Sequence, residues 1–81
     1  MELILVRQEG CGPCDAMNKM APEKAKKRGY TFRTIDMESM PEDIRPPYIP
    51  YFYIMDKDEI VEQWGGHSLT LLINTLNKNK L

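Results

Sequence analysis

Four consecutive apolar residues, Leu3 to Val6, stand near the start of the chain and stop at Arg7, a pattern that predicts a strand buried on both faces of a sheet. From Pro13 to Arg28 the pattern changes to helical spacing, with Met17, Met20, Ala21 and Ala25 on one face. Lys24, Lys26, Lys27 and Arg28 crowd the end of that helix, Gly29 supplies its stop, and Pro22 is expected to bend or divide it. Tyr30 to Asp36 reads as a second strand carrying Phe32 and Ile35. Glu38 to Pro47 is polar and interrupted by Pro41, Pro46 and Pro47, so it predicts a connector with little more than one helical turn around Glu42 to Arg45. Tyr51 to Met55 is strongly β-prone, and Asp56-Lys57-Asp58 turns the chain into Glu59 to Trp64, a hairpin. Gly65-Gly66 ends that strand. Ser68 then caps a last helix whose Leu69, Leu72, Ile73 and Leu76 recur at i, i+3, i+4 and i+7, before a polar end over 77–81.

The order β-α-β-β-β-α predicts an α/β fold: a four-stranded mixed sheet, first pair parallel and last pair antiparallel, flanked by helices. With 81 residues the chain is expected to be a single domain over 1–81 and to act as a monomer. The 11 Lys and Arg nearly balance the 12 Asp and Glu, so no net field favours nucleic acid or an anionic membrane, and neither is expected as a partner. The apolar run before Arg7 is too short for a signal segment or a membrane span, which leads to the expectation of a cytoplasmic protein whose mature chain starts at Met1.

Against that background the two cysteines carry the chemistry. They stand as Cys11-Gly12-Pro13-Cys14, after the first strand and at the opening of the first helix. Unpaired N–H groups and the helix dipole favour a thiolate there, so the pair reads as a redox site. In a reducing compartment a pair so close in sequence makes a poor structural staple. Half of a zinc site is the competing reading, but zinc takes four ligands and the chain adds one histidine, His67. No metal is therefore expected. Pro13 suits the first helical turn and Gly12 leaves room for a partner's backbone. Asp15 and Glu9 oppose thiolate formation, and Arg7 offsets part of that.

Cys11-Gly12-Pro13-Cys14, Ile49-Pro50 ahead of the third strand and Gly65-Gly66 ahead of the last helix, together with the element order, make almost the whole chain resemble the thioredoxin superfamily. Its length looks like that of the smaller glutaredoxins and of the glutaredoxin-like redoxins that serve ribonucleotide reductase. The resemblance implies a minimal thioredoxin fold with a redox-active Cys11–Cys14 disulfide and no bound cofactor. Cys11 would attack and Cys14 resolve. It also implies a cis Ile49-Pro50 bond, although Pro50 by itself would read as an ordinary trans proline opening a strand. Tyr48, Ile49, Pro50, Trp64, Gly65 and Gly66 would border a groove for protein disulfide substrates.

The chain departs from thioredoxins at Gly10, where they carry Trp, and at Leu5, where they bury an Asp that exchanges protons with the second sulfur. It departs from glutaredoxins at Gln8, where they carry a basic residue, and at His67-Ser68, which replaces the end of their Gly-Gly-x-Asp. The function the resemblance implies is a thiol–disulfide oxidoreductase, a protein disulfide reductase recharged by a thioredoxin reductase-like flavoprotein and passing electrons to cytosolic enzymes such as ribonucleotide reductase. A glutathione-dependent glutaredoxin is the alternative, and a non-catalytic binding subunit built on the same fold is another.

Overall fold

A computed structural model describes residues 1–79. The chain runs β1 (Glu2–Arg7), α1 (Gly12–Lys27), β2 (Thr31–Asp36), β3 (Tyr51–Asp56), β4 (Glu59–Gly65) and α2 (Leu69–Lys78), with short 3-10 turns at Met37–Ser39 and Glu42–Ile44 in the connector. The sheet order is β2-β1-β3-β4. β1 pairs parallel with β2 from Glu2↔Thr31 to Arg7↔Asp36 and antiparallel with β3 from Glu2↔Met55 to Val6↔Tyr51. β3 and β4 form the hairpin, which shifts register between Ile54 and Met55 and turns through Lys57 at φ 60°. This is the predicted β-α-β-β-β-α mixed sheet. Of the polar end expected over 77–81, positions 80 and 81 lie outside the described residues.

β1 is central because all of its side chains from Leu3 to Val6 are buried, as an uninterrupted apolar run requires. Leu3 and Leu5 face the two helices, joining Phe52 and Ile54 from β3, Met17, Ala21 and Ala25 from α1, and Leu72 and Leu76 from α2. The other face of β1 carries Ile4 and Val6. There Ile35, Tyr53, Met40 and Ile44 help to line an open apolar cleft of about 320 Å³, because only the connector crosses this side. The same cleft takes water away from Tyr53, whose hydroxyl is held above its ordinary pKa, first by burial and then by the neighbouring Tyr51.

The helix ends follow from local chemistry. Ser68 Oγ accepts from the Leu71 N–H at 3.1 Å and so caps α2, as the sequence predicts. Arg28 ties the two helices together, its Nε donating to Asn77 Oδ1 at 2.6 Å while one terminal nitrogen donates to the Lys24 carbonyl at 3.0 Å. Pro22 does not divide α1, which runs unbroken from Gly12 to Lys27. The ring removes one N–H, and the residue whose carbonyl loses that bond, Asn18, is exposed, where solvent is available to take the place of the missing donor.

Tyr30 closes the far end of the core. Its hydroxyl, buried, donates to the Leu76 carbonyl in the last turn of α2 at 2.7 Å. Burial raises its pKa above the ordinary value, and the Arg28 guanidinium opposes part of that rise. Above about pH 10 the unfolded chain releases this proton while the folded chain keeps it, so stability falls as pH climbs through that window. Tyr30→Phe is expected to cost about 1 to 2 kcal/mol at pH 7 by leaving the Leu76 carbonyl unpaired, and to remove this alkaline component. Urea unfolding of both proteins at pH 7 and at about pH 10.5 measures it; equal stability at pH 7 would remove the hydrogen bond from the account.

Candidate active site

Strand register gathers the site at one edge of the sheet. β1 ends there at Arg7, β2 at Asp36 and β4 at Gly65, while β3 begins there at Tyr51. The Gln8-Glu9-Gly10 bend then returns the chain into α1, with the Cys11 N–H donating to the Gln8 carbonyl at 3.2 Å. Cys11 is the N-cap of that helix. Its Sγ accepts from the Cys14 N–H at 3.1 Å and its carbonyl accepts from the Asp15 N–H at 3.1 Å. Sulfur thus occupies the position in which a Ser or Asp oxygen usually serves, against the positive end of the helix.

Cys11 and Cys14 are joined in a disulfide, with Cα atoms 5.2 Å apart. Cys14 is fully buried against the core and Cys11 is half-buried. A reagent reaching this disulfide from solvent meets the Cys11 sulfur. Gly12 and Pro13 are exposed, and a methyl group added at Gly10 or Gly12 would have no neighbour within 4 Å, so the approach to Cys11 is open on this side.

Charge at the edge centres on Arg7. Its guanidinium meets Asp36 at 2.8 Å and Asp15 at 3.6 Å, linking the end of β2 to the first turn of α1. The Nε–H, buried beneath them, has no acceptor among the described residues. One cation therefore serves two carboxylates, with Glu9 exposed nearby in sequence, and the edge keeps an excess of negative charge. Leu5 is fully buried within the helix-side core. Among the described residues the only buried polar groups of the core are the hydroxyls of Tyr30 and Thr75, and no carboxylate is buried there to take a proton from Cys14. Among the described residues no cluster of His, Cys, Asp and Glu is placed to hold a metal ion.

At the same end of the sheet stands the chain around Pro50. The Ile49-Pro50 bond is cis, Pro50 is buried, and its carbonyl accepts from the Gly66 N–H at 2.8 Å. Ile49 lies just outside the ladder, which begins at Tyr51. Gly66 has φ +105°, a conformation that favours glycine, whereas at Gly65 the missing side chain makes room for a neighbour. A methyl group there would overlap Cε2, Cζ and Oη of Tyr48, so the tyrosine ring lies directly on the Gly65 backbone. Tyr48 is itself 53% exposed and meets Tyr51 edge-to-face at 5.8 Å. Tyr51 is anchored in turn through its hydroxyl, which donates to Gln63 Oε1 at 3.1 Å.

The residues expected around a groove thus fall into two groups. Cys11, Gly12, Pro13 and Cys14 open the helix, and Tyr48, Ile49, Pro50, Gly65 and Gly66 form one connected corner at the same sheet edge. Trp64 is turned into packing, its ring stacked on Phe52 with centroids 5.1 Å apart and laid against the core. His67 is exposed at the approach to α2. Sequence reasoning missed the seat of Tyr48 on Gly65; a glycine outside any positive-φ turn was its only trace.

No family model matches the chain, and no curated protein matches it. Solved structures do. Thioredoxin 1 from Thermosipho africanus superposes with a TM-score of 0.81 at 22% identity, over 96% of this chain and 92% of that one. Plasmodium falciparum thioredoxin gives 0.80 at 23% identity, over 96% and 82%. The periplasmic thioredoxin SoxS from Paracoccus pantotrophus gives 0.72 at 18% identity, over 95% and 96%. At these identities the likeness is one of backbone: the chain has the thioredoxin fold, and it carries a disulfide of the C-x-x-C spacing at the start of its first helix.

Proposed function

We propose that this protein is a thiol–disulfide oxidoreductase that reduces disulfides in other proteins and is itself recharged by a flavoprotein of the thioredoxin reductase kind. The observation that carries the reading is the division of the pair, one sulfur reachable at a helix N-terminus and the other sealed in the core one turn in. In the reduced protein the Cys11 thiolate attacks one sulfur of a substrate disulfide. A Cys11–substrate bond forms, the substrate S–S bond breaks and one substrate thiolate leaves. Cys14 then gives up its proton and attacks the Cys11 sulfur. The Cys11–Cys14 bond forms and the second substrate thiolate departs, two electrons having passed to the substrate.

With Leu5 in place of an acid, the departing thiolate and water are the acceptors for the Cys14 proton. An extended substrate strand pairs with the Ile49 main chain, which stands just ahead of the point where the β3 ladder begins at Tyr51. Clients in a reducing compartment, ribonucleotide reductase among them, suit a small carrier whose reactive sulfur stands on an open edge.

The test offers insulin as substrate with NADPH and either thioredoxin reductase, or glutathione with glutathione reductase, as the sole electron source. Turnover with the first pair is the expected result. Reduction supported by glutathione alone would establish a glutaredoxin instead, and activity with neither would leave the fold as a binding scaffold.

A further inference from the structure

We propose that the open face of the sheet is a docking site for a basic amphipathic helix of a partner protein, held by the apolar cleft and by unpaired carboxylates at its two ends. The floor of the cleft comes from β1 and β3, where Ile4, Val6, Tyr53 and Met55 alternate with the residues of the helix-side core. Ile44 lines it from the connector and Ile60 from the hairpin, and these two are 57% and 52% exposed. The lining holds no Asp, Glu or Lys, whereas Tyr, Met and Arg, the side chains enriched at the centres of interfaces, are all present.

The shape selects a helix. Side chains, not main-chain groups, project from a sheet face, so an extended strand laid here would find no partners for its N–H and C=O groups. A helix bonds its own main chain. Four strands span about 14 Å between the outer two, and a helix with its side chains is about 10 Å across, so the face takes one. The six-residue strands β1 and β3 are about 20 Å long. With the connector over one end, that leaves room for about three helical turns.

Charge selects the kind of helix. Glu42 and Asp43 precede Ile44 in the connector, and Asp58 and Glu59 precede Ile60 in the hairpin. All four are exposed, and none belongs to an ion pair among the described residues. The neighbouring cations are committed or outnumbered. Arg33 is held by Glu2 at 3.0 Å, Arg45 donates to the Met40 and Glu38 carbonyls, and Lys57 is flanked by Asp56 and Asp58. The chain as a whole carries a net charge of only -1, so this acidity is a local segregation, balanced by Lys24, Lys26, Lys27 and Arg28 at the end of α1. Such a rim repels an anionic membrane and attracts Lys or Arg placed at both ends of an apolar stripe. α1 packs against the opposite side of the sheet and neither cysteine lines the cleft, so docking does not depend on the redox chemistry.

The test uses labelled synthetic peptides of about 14 residues. The first places Leu at i, i+3, i+7 and i+10 with Lys at both ends of the stripe, the second replaces each Lys with Glu, and the third scrambles the spacing of the first. Fluorescence anisotropy measures affinity, and amide NMR shifts of the full protein locate the contact. The first peptide is expected to bind with shifts centred on Ile4, Tyr53, Met55 and Ile60, and to weaken roughly tenfold between about 50 and 500 mM salt. The other two bind at least roughly tenfold more weakly. In the protein, Ile44→Ser and Ile60→Ser, both at exposed positions on separate elements, each weaken the first peptide roughly tenfold. Glu42→Lys and Glu59→Lys each weaken it about threefold. Equal affinity for the scrambled or Glu-bearing peptide, shifts centred on α1, or no binding at about 1 mM peptide overturns the proposal. Dimerisation of the free protein through these same residues, seen by sedimentation, assigns the cleft to a second copy and overturns it as well.

Discussion

Cys14→Ser is expected to reduce catalytic turnover to background while a covalent Cys11–substrate adduct accumulates, and Cys11→Ser to abolish both. The asymmetry follows from burial. Cys14 is sealed in the core, so it can reach a substrate only through the sulfur of Cys11, three residues earlier and partly exposed at the helix start. Serine at position 14 leaves the first displacement intact and removes the thiol that ends it. Serine at position 11 removes the nucleophile, and losses of several orders of magnitude accompany such a change. Non-reducing gels and intact-mass measurement after exposure to oxidised insulin distinguish the two variants. An adduct on Cys14 in the Cys11→Ser protein would reverse the assignment of roles.

The second large effect concerns stability. Leu5→Asp places a carboxyl group at the fully buried centre of β1, among Leu3, Met17, Phe52 and Leu72, where no polar partner faces it. The substitution loses the leucine's burial and adds an unpaired acid, together roughly 4 kcal/mol or more. A domain of 81 residues has about 4 to 12 kcal/mol in all, so the variant should be close to unfolding at neutral pH. The pH dependence gives the signature. Burial raises the folded pKa of this Asp above its unfolded value near 4, so the penalty is smallest below about pH 4 and grows as pH rises toward the folded value. Leu5→Asn loses the same packing without that dependence. Urea unfolding of both at pH 4 and pH 7.5 separates them, and an Asp variant as stable as the parent at pH 7.5 would show that the core tolerates a charge there. The position thus favours a tight core over a buried carboxylate, and on the proposed mechanism the Cys14 proton goes to the departing thiolate or to water.

The elements that the sequence made legible are those with an uninterrupted physical signal. Leu3 to Val6 could only be a strand enclosed on both sides, and Ser68 with the Leu69–Leu76 spacing could only open an amphipathic helix. The cysteine pair announced its own chemistry because its position between a strand and a helix decides how sulfur behaves. Other features depend on partners far along the chain. Pro22 signals a break locally, yet the helix continues because exposed Asn18 can give its carbonyl to water. Trp64 reads equally well as a groove residue or a core residue until Phe52 is seen beneath it. Tyr48 looks like an ordinary loop aromatic, and Gly65 like the end of a strand, until the two are found in contact. Periodicity does not carry information of that kind, since the contact belongs to neither element's own repeat.

The Cys11 sulfur caps the helix as well as reacting, and the turn around it is also held by backbone hydrogen bonds from Cys11 to Gln8 and from Asp15 to Cys11. Opening the disulfide therefore releases one link in a segment that its backbone already holds. If the protein is the carrier proposed above, it is expected to offer nearly one silhouette whether charged or spent. Its partners would then tell the two forms apart by what one sulfur atom does on contact, and each encounter would become a chemical interrogation in place of a comparison of shapes.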